Sequence, residues 1–300
     1  MRIGTRDSKL AVWQAQKVQS LLKSLGQASE LVFVKSPADI DLKTPLHQFG
    51  GTGIFTKVLD DALFNGEIDL AVHSLKDYPT EPPKGIHIPA VLERGPYNDI
   101  LVYKGDLDFL ENEEKANIAT GSIRRIAQWK SKFPKHEMQA LRGNVQTRLR
   151  KLEENNWQGA IFAKAGLERI NILPENHIVL DWMIPAPAQG VIGLACLEKN
   201  EKISQLISQL NHEQTFKEAM VERDFLNAVE GGCSAPVGAL AISDNKQIKF
   251  KAGVFALDGK MKVIFEGYFP MNSWANAGRK AAIKVLEDGG REIMQSIKKS

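Results

Sequence analysis

A chain of 300 residues with 43% hydrophobic content can bury full cores and reads as two or three domains, and no run approaches the roughly 18–20 uninterrupted apolar residues of a membrane span. Its 39 Lys and Arg against 36 Asp and Glu leave a net charge of +3, too small for a general nucleic-acid binder. Two cysteines in unlike contexts and six histidines without metal-ligand spacing argue against a disulfide framework and give no metal site, so the expected setting is reducing and cytosolic, with neither membrane nor nucleic acid as partner.

The first residues, Met1 to Arg6, run straight into a strand over Ile3 to Thr5, and no signal peptide is expected. Ser8 can cap a helix whose apolar positions Leu10, Trp13, Val18, Leu21, Leu22 and Leu25 end at Gly26. Leu31 to Val34 is strand-like, and Ile54, Phe55, Val58, Leu59, Ala62 and Leu63 repeat at helical spacing up to Gly66. Ile68 to Val72 gives a third strand, which ends in His73-Ser74-Leu75-Lys76-Asp77. Strand-helix-strand units with right-handed crossovers imply an open, largely parallel sheet, and ligands on such sheets lie beyond the carboxyl ends of the strands.

Pro79 to Pro83 is a loop, and the stretch from Glu93 to Asn98 reads as a crossing into a second unit of like construction. There Asn117 to Thr120 is a strand, and Gly121-Ser122 opens a helix with Arg124 and Arg125 in its first turn. Cations work against the helix dipole at that end unless a negative ligand or side chain compensates. Met138 to Leu141 delivers Arg142-Gly143-Asn144 to another strand end, with Arg148 one turn further, and Ala160 to Ala163 precedes Arg169. Six of the twelve arginines thus fall between positions 124 and 169. Each can be a fork for a carboxylate or phosphate, or a solvated helix face.

Pro185 to Gly190 marks a return crossing, after which Val191 to Leu197 rejoins the first sheet. A helix from Thr215 to Ala228 leads to Glu230-Gly231-Gly232-Cys233-Ser234-Ala235-Pro236. Segments near Val237 to Ile242, Ile248 to Phe255 and Met261 to Tyr268 predict an antiparallel meander, closed by one amphipathic helix over Ala275 to Ile297. Cys196 sits in an apolar run as a small hydrophobe, whereas Cys233 among glycines is placed for access and reads as chemistry, with a structural thiol as the alternative.

These segments together resemble the porphobilinogen deaminase (hydroxymethylbilane synthase) family over essentially the whole chain. The resemblance rests on Gly4-Thr5-Arg6-Asp7-Ser8, Gly50-Gly51-Thr52-Gly53-Ile54-Phe55, Val72-His73-Ser74-Leu75-Lys76-Asp77 and Thr120-Gly121-Ser122-Ile123-Arg124-Arg125. It continues through Leu141-Arg142-Gly143-Asn144-Val145-Gln146-Thr147-Arg148-Leu149, Ala165-Gly166-Leu167, Ala188-Gln189-Gly190 and Glu230-Gly231-Gly232-Cys233, in that order.

The resemblance implies an α/β fold of two lobes like those of periplasmic binding proteins, with mostly parallel sheets, plus a small α+β C-terminal domain with an antiparallel sheet. The expected boundaries are 1–92 with 191–210 for the first lobe, 97–185 for the second and 213–300 for the third domain. It further implies a monomeric transferase of tetrapyrrole biosynthesis that condenses four porphobilinogen molecules, releases ammonia and passes hydroxymethylbilane to uroporphyrinogen-III synthase. A dipyrromethane cofactor would be held by a thioether to Cys233. It would be bound by Ser8, Lys76, Asp77, Thr120, Ser122, Arg124, Arg125, Gly143 and Arg148, with Ser8, Lys76, Ser122, Arg124, Arg125 and Arg148 on its carboxylates and Asp77 near its pyrrole nitrogens, while Arg6, Phe55, Arg142, Arg169 and Gln189 would handle substrate. Asp77 would be the catalytic carboxylate, stabilising the positive charge left when the aminomethyl nitrogen departs. Read without the resemblance, Asp77 can equally pair with Lys76 or cap the next turn. No separate metal or nucleotide is implied.

The chain departs from the family pattern at Gln48 and Thr52, where relatives place lysines, and at Ser36-Pro37-Ala38-Asp39, which replaces a glycine-containing turn. A two-lobed anion-binding protein without catalysis would use the same sheets and arginines. It would release its ligand unchanged.

Overall fold

The computed structural model describes residues 1–35, 54–111, 115–229, 235–244 and 246–298. Strand β1 (Arg2–Thr5) leads into helix α1 (Lys9–Ser24), β2 (Glu30–Phe33), α2 (Ile54–Phe64), β3 (Leu70–Ser74) and β4 (Ile86–Val91). The chain then leaves this sheet to build β5 (Asp99–Tyr103), β6 (Asn117–Thr120), α3 (Ile123–Lys132), β7 (Glu137–Ala140), α4 (Val145–Glu154), β8 (Gly159–Ala163), α5 (Lys164–Glu168) and β9 (His177–Val179). It returns for β10 (Ile192–Leu197) and α6 (Glu201–Ser208). It ends with α7 (Glu213–Ala228), the meander β11 (Val237–Ser243), β12 (Gln247–Phe255) and β13 (Lys262–Pro270), and helices α8 (Ala277–Val285) and α9 (Arg291–Lys298).

The two five-stranded sheets share one plan. The first has the order β2-β1-β3-β10-β4 and the second β7-β6-β8-β5-β9. In each, four strands run in one direction and one, β10 or β5, is antiparallel to both of its neighbours. Each sheet is buried on both faces, so side chains alternate between two cores. In the first, Leu70, Val72, Leu194 and Cys196 join Ala15, Val18 and Leu22 of α1, while Ala71 and Ala195 face Leu59, Ala62 and Leu63 of α2. In the second, Ile100, Val102, Ala160 and Phe162 pack with Leu152 of α4, and Leu101, Ile118 and Ile161 pack with Trp129 of α3.

By contacts the chain divides into two compact units, residues 1–95 with 190–217 and residues 96–189 with 218–300. The second unit therefore holds the three-stranded sheet β11-β12-β13 as well as the second five-stranded sheet. The three-stranded sheet buries Ile248, Phe250, Ala252 and Val254 against Val221 and Phe225 of α7 and Ala281 and Val285 of α8. The single closing helix expected over Ala275 to Ile297 is two helices: at Gly289 the backbone takes φ +106°, a conformation open to glycine, and α9 starts afresh at Arg291.

Candidate active site

The parallel registers set the residues expected to bind and react just beyond the carboxyl ends of neighbouring strands. In the first unit β1 lies beside β3, with Gly4 opposite Ala71, so Arg6 and Ser8 follow one strand end and Lys76 and Asp77 the next. Ser8 is the N-cap of α1 and its hydroxyl accepts from the Ala11 N–H at 3.3 Å, which leaves its own O–H to donate. Gln14 of α1 donates to Ser74 Oγ at 2.8 Å and ties the helix to the end of β3. Lys76 is half-buried and Asp77 exposed on a one-turn helix, Leu75–Asp77. His73, just before it, is buried, and burial together with the nearby Arg6 pushes its imidazole down to about 3, so it stays neutral at physiological pH.

In the second unit β6 stands between β7 and β8, and the segments after all three strand ends carry arginine. β6 and β7 finish level, Thr120 opposite Ala140, and a Cβ on Gly121 would sit 2.5 Å from the Leu141 carbonyl oxygen. Thr120 is buried and its hydroxyl accepts from the Ser122 N–H at 3.3 Å. Ser122 stands at the N-cap of α3 without using its side chain to cap it. Asn144 caps α4 by accepting from the Thr147 N–H at 2.9 Å, and Arg148 Nε donates to the Gly143 carbonyl at 2.7 Å, closing the turn onto its helix. Arg142 is exposed. Arg169 is half-buried, and burial pushes its guanidinium down to about 10, still charged at neutral pH.

The unusual first turn of α3 is compensated from inside the protein. Asp99, which opens β5 opposite Ala163 at the end of β8, is fully buried. Its carboxylate accepts from Arg124 at 2.7 Å and from Arg125 at 2.8 and 3.0 Å. Arg124 also donates to the Ile184 carbonyl and Arg125 to that of Ile161. Burial alone would raise the Asp99 carboxyl, but the two guanidiniums outweigh it and hold the group far below the usual carboxylate range. Gln189, expected to line a pocket, is 1% exposed and donates to the Tyr97 carbonyl at 2.7 Å and to Asp99 at 3.0 Å. Two cations facing one anion leave a charge of +1 at a helix N-terminus, which favours a further anion there.

Sequence reasoning missed Asp99, although its signal was present: an acidic residue opening the apolar run Ile100-Leu101-Val102. It also missed Glu222 of α7, whose buried carboxylate accepts from the N–H groups of Ala188 at 2.6 Å and Ala241 at 2.7 Å. That contact holds Ala188 at φ +60°, a conformation costly for alanine, directly before Gln189. Arg150 takes the bland reading: it is exposed and pairs with Glu154 one turn on. Cys196 is fully buried within 3.3 Å of His87, and burial pushes its thiol up to about 11. Cys233, Gln48 and Thr52 lie outside the described residues, as does the side chain of Phe55.

Residues 1–205 match the family described as porphobilinogen deaminase, dipyromethane cofactor binding domain, and residues 216–287 match the porphobilinogen deaminase C-terminal domain. Among curated relatives, the probable porphobilinogen deaminase of Methanocaldococcus jannaschii is 45% identical over 86% of this chain and 89% of its own length. The porphobilinogen deaminase of Syntrophomonas wolfei is 36% identical over 100% and 99%, and that of Campylobacter hominis 38% identical over 98% and 97%. Among solved structures, the methionine binding protein MetQ aligns at 14% identity with a TM-score of 0.44, over 74% of this chain and 92% of that one.

Proposed function

From the premise that this chain belongs to the porphobilinogen deaminase family, we propose that it is a transferase joining four porphobilinogen molecules head to tail, with release of ammonia, to give hydroxymethylbilane. The observation that carries the reading is the cation excess at the carboxyl edge of the second sheet. Arg124 and Arg125 share the single carboxylate of Asp99, while Arg142 follows β7, Arg148 lies in the first turn of α4 and Arg169 ends α5, which follows β8. Each pyrrole unit brings an acetate and a propionate, so a growing chain needs many fixed donors.

The donor set fits a bound dipyrromethane. When attached through Cys233, that group supplies the primer to which further pyrrole units are joined. Ser8, Lys76, Asp77, Thr120, Ser122, Arg124, Arg125, Gly143 and Arg148 would hold it. Ser8 and Thr120 each spend an acceptor lone pair on the backbone and keep an O–H for a carboxylate. Ser122 and the open N-terminus of α3 offer further donors beside the buried guanidiniums. Arg6, Phe55, Arg142, Arg169 and Gln189 would receive and orient substrate, with Gln189 acting from its buried place on Asp99. The exposed Asp77 carboxylate sets a negative charge beside the positive charge that develops as the aminomethyl nitrogen leaves, and accepts and returns protons there. The protein works as a cytosolic monomer whose linear product goes to a uroporphyrinogen-III synthase.

Intact mass under denaturing conditions tests this. The parent, incubated with porphobilinogen, should carry an added mass equal to two linked pyrrole units that Cys233→Ala lacks, and should release ammonia. Asp77→Asn should keep the added mass and lose most turnover. A parent that gains no mass and returns porphobilinogen unchanged would instead be an anion-binding protein.

A further inference from the structure

The turn bearing Lys76 and Asp77 is gripped from both flanks. Before it, Leu75 is fully buried and its N–H donates to the Val191 carbonyl at 3.0 Å. After it, Tyr78 is 1% exposed, its N–H donates to the Leu75 carbonyl at 3.2 Å, and its phenol donates to Asp60 Oδ1 on α2 at 3.1 Å. Asp77 lies between these anchors, exposed and with no side-chain hydrogen bond or ion pair among the described residues. Its position is therefore set by its neighbours.

We propose that the buried hydrogen bond from Tyr78 to Asp60 is a positioning device that fixes where the Asp77 carboxylate stands during catalysis, an inference that rests on the catalytic reading of Asp77 given above. Phenylalanine at 78 would fill the same apolar space, so the hydroxyl adds direction rather than volume, and a buried phenol requires a partner. Asp60, 3% exposed, is a costly choice of partner: burial pushes its carboxyl up to about 7, with Asp61 on the same helix adding to the rise and the Tyr78 hydroxyl opposing it. A packed apolar side chain would cost less stability than a buried carboxylate, so what the carboxylate supplies is a fixed anchor for the phenol. His73 packs against the ring, its centre 4.5 Å away at 43°, and its Nε2 has no hydrogen-bond partner among the described residues. Arg6 acts on His73 and helps keep it neutral, so no charged group on β3 competes for Asp60.

The test is a double-mutant cycle on the cofactor-loaded enzyme, with loading read by intact mass and folding by thermal melt. Tyr78→Phe should lower kcat about tenfold at nearly constant KM, less than the roughly hundredfold effect of a 1 Å misplacement. In an Asp77→Asn background the same substitution should change the residual rate less than about twofold, because its route to the chemistry is already cut. Asp60→Asn, whose amide oxygen still accepts, should recover most of the rate, whereas Asp60→Leu should match Tyr78→Phe; this pair decides the matter if Tyr78→Phe folds poorly. Full activity in Tyr78→Phe, an equal loss in the Asp77→Asn background, or a loss that tracks missing cofactor would each overturn the proposal. A parent that releases no ammonia would sink the assigned activity itself. Asp77→Asn at parental rate would remove the role of Asp77 and the positioning role with it.

Discussion

Asp99 ties three side chains of the second unit together, since it accepts from Arg124, Arg125 and Gln189 at once. Asp99→Asn keeps the shape and removes the charge, leaving two buried guanidiniums without a counter-ion; about 3–5 kcal/mol of stability should go, read as a lower urea midpoint. Asp60 behaves in the opposite sense. Its carboxyl titrates near 3.8 when unfolded and near 7 when folded, so between those values the folded state holds the extra proton and stability falls as pH rises. At about 1.4 kcal/mol per unit, the loss above pH 7 has an upper figure of roughly 4–5 kcal/mol. Asp60→Asn should therefore raise the melting temperature at pH 8 more than at pH 5. His73 opposes this in acid, because its pKa is depressed to about 3 and the stability it gives above pH 6.5 is lost on descent. At this scale the sequence exposes residues that break a local rule, and the cation pair in a helix first turn is one. It hides their partners, because Asp99 lies 25 residues from Arg124 and Asp60 lies 18 from Tyr78.

Elements announced by capping chemistry were legible. Ser8 starts α1 where its side chain accepts from the first turn, and Gly26 and Gly66 follow the ends of α1 and α2 with positive φ. Short strands without an obvious period were not: β4, β5 and β9 form because the sheet supplies their partners, an effect that a local window does not contain. Gly143 shows how tightly a turn can be packed against the helix it precedes. Its φ is +109°, and a Cβ there would stand 2.6 Å from the Thr147 methyl group, in the first turn of the helix that carries Arg148. Gly143→Ala should cost about 1–3 kcal/mol by denaturant titration and should weaken porphobilinogen turnover, since relief of the clash moves the start of α4.

At the scale of the molecule, the parallel units and the return of Val191 to Leu197 to the first sheet could be read from the order of strands and helices. The reversal of β5 within the second sheet could not, because direction depends on the end of the sheet from which the chain enters, and local sequence does not encode that. The same strand order bears on how the protein is made. β10 sits between β3 and β4, yet it follows the end of β3 by more than a hundred residues, whereas all five strands of the second sheet are contained in residues 99–179. During synthesis at roughly 5–20 residues per second, the sheet nearest the N-terminus waits on the order of ten seconds for its missing strand. The later sheet has all its strands first. The first-made part of the chain is thus the longer exposed to premature association, and a ribosome that stalls before residue 192 leaves its sheet open at the middle.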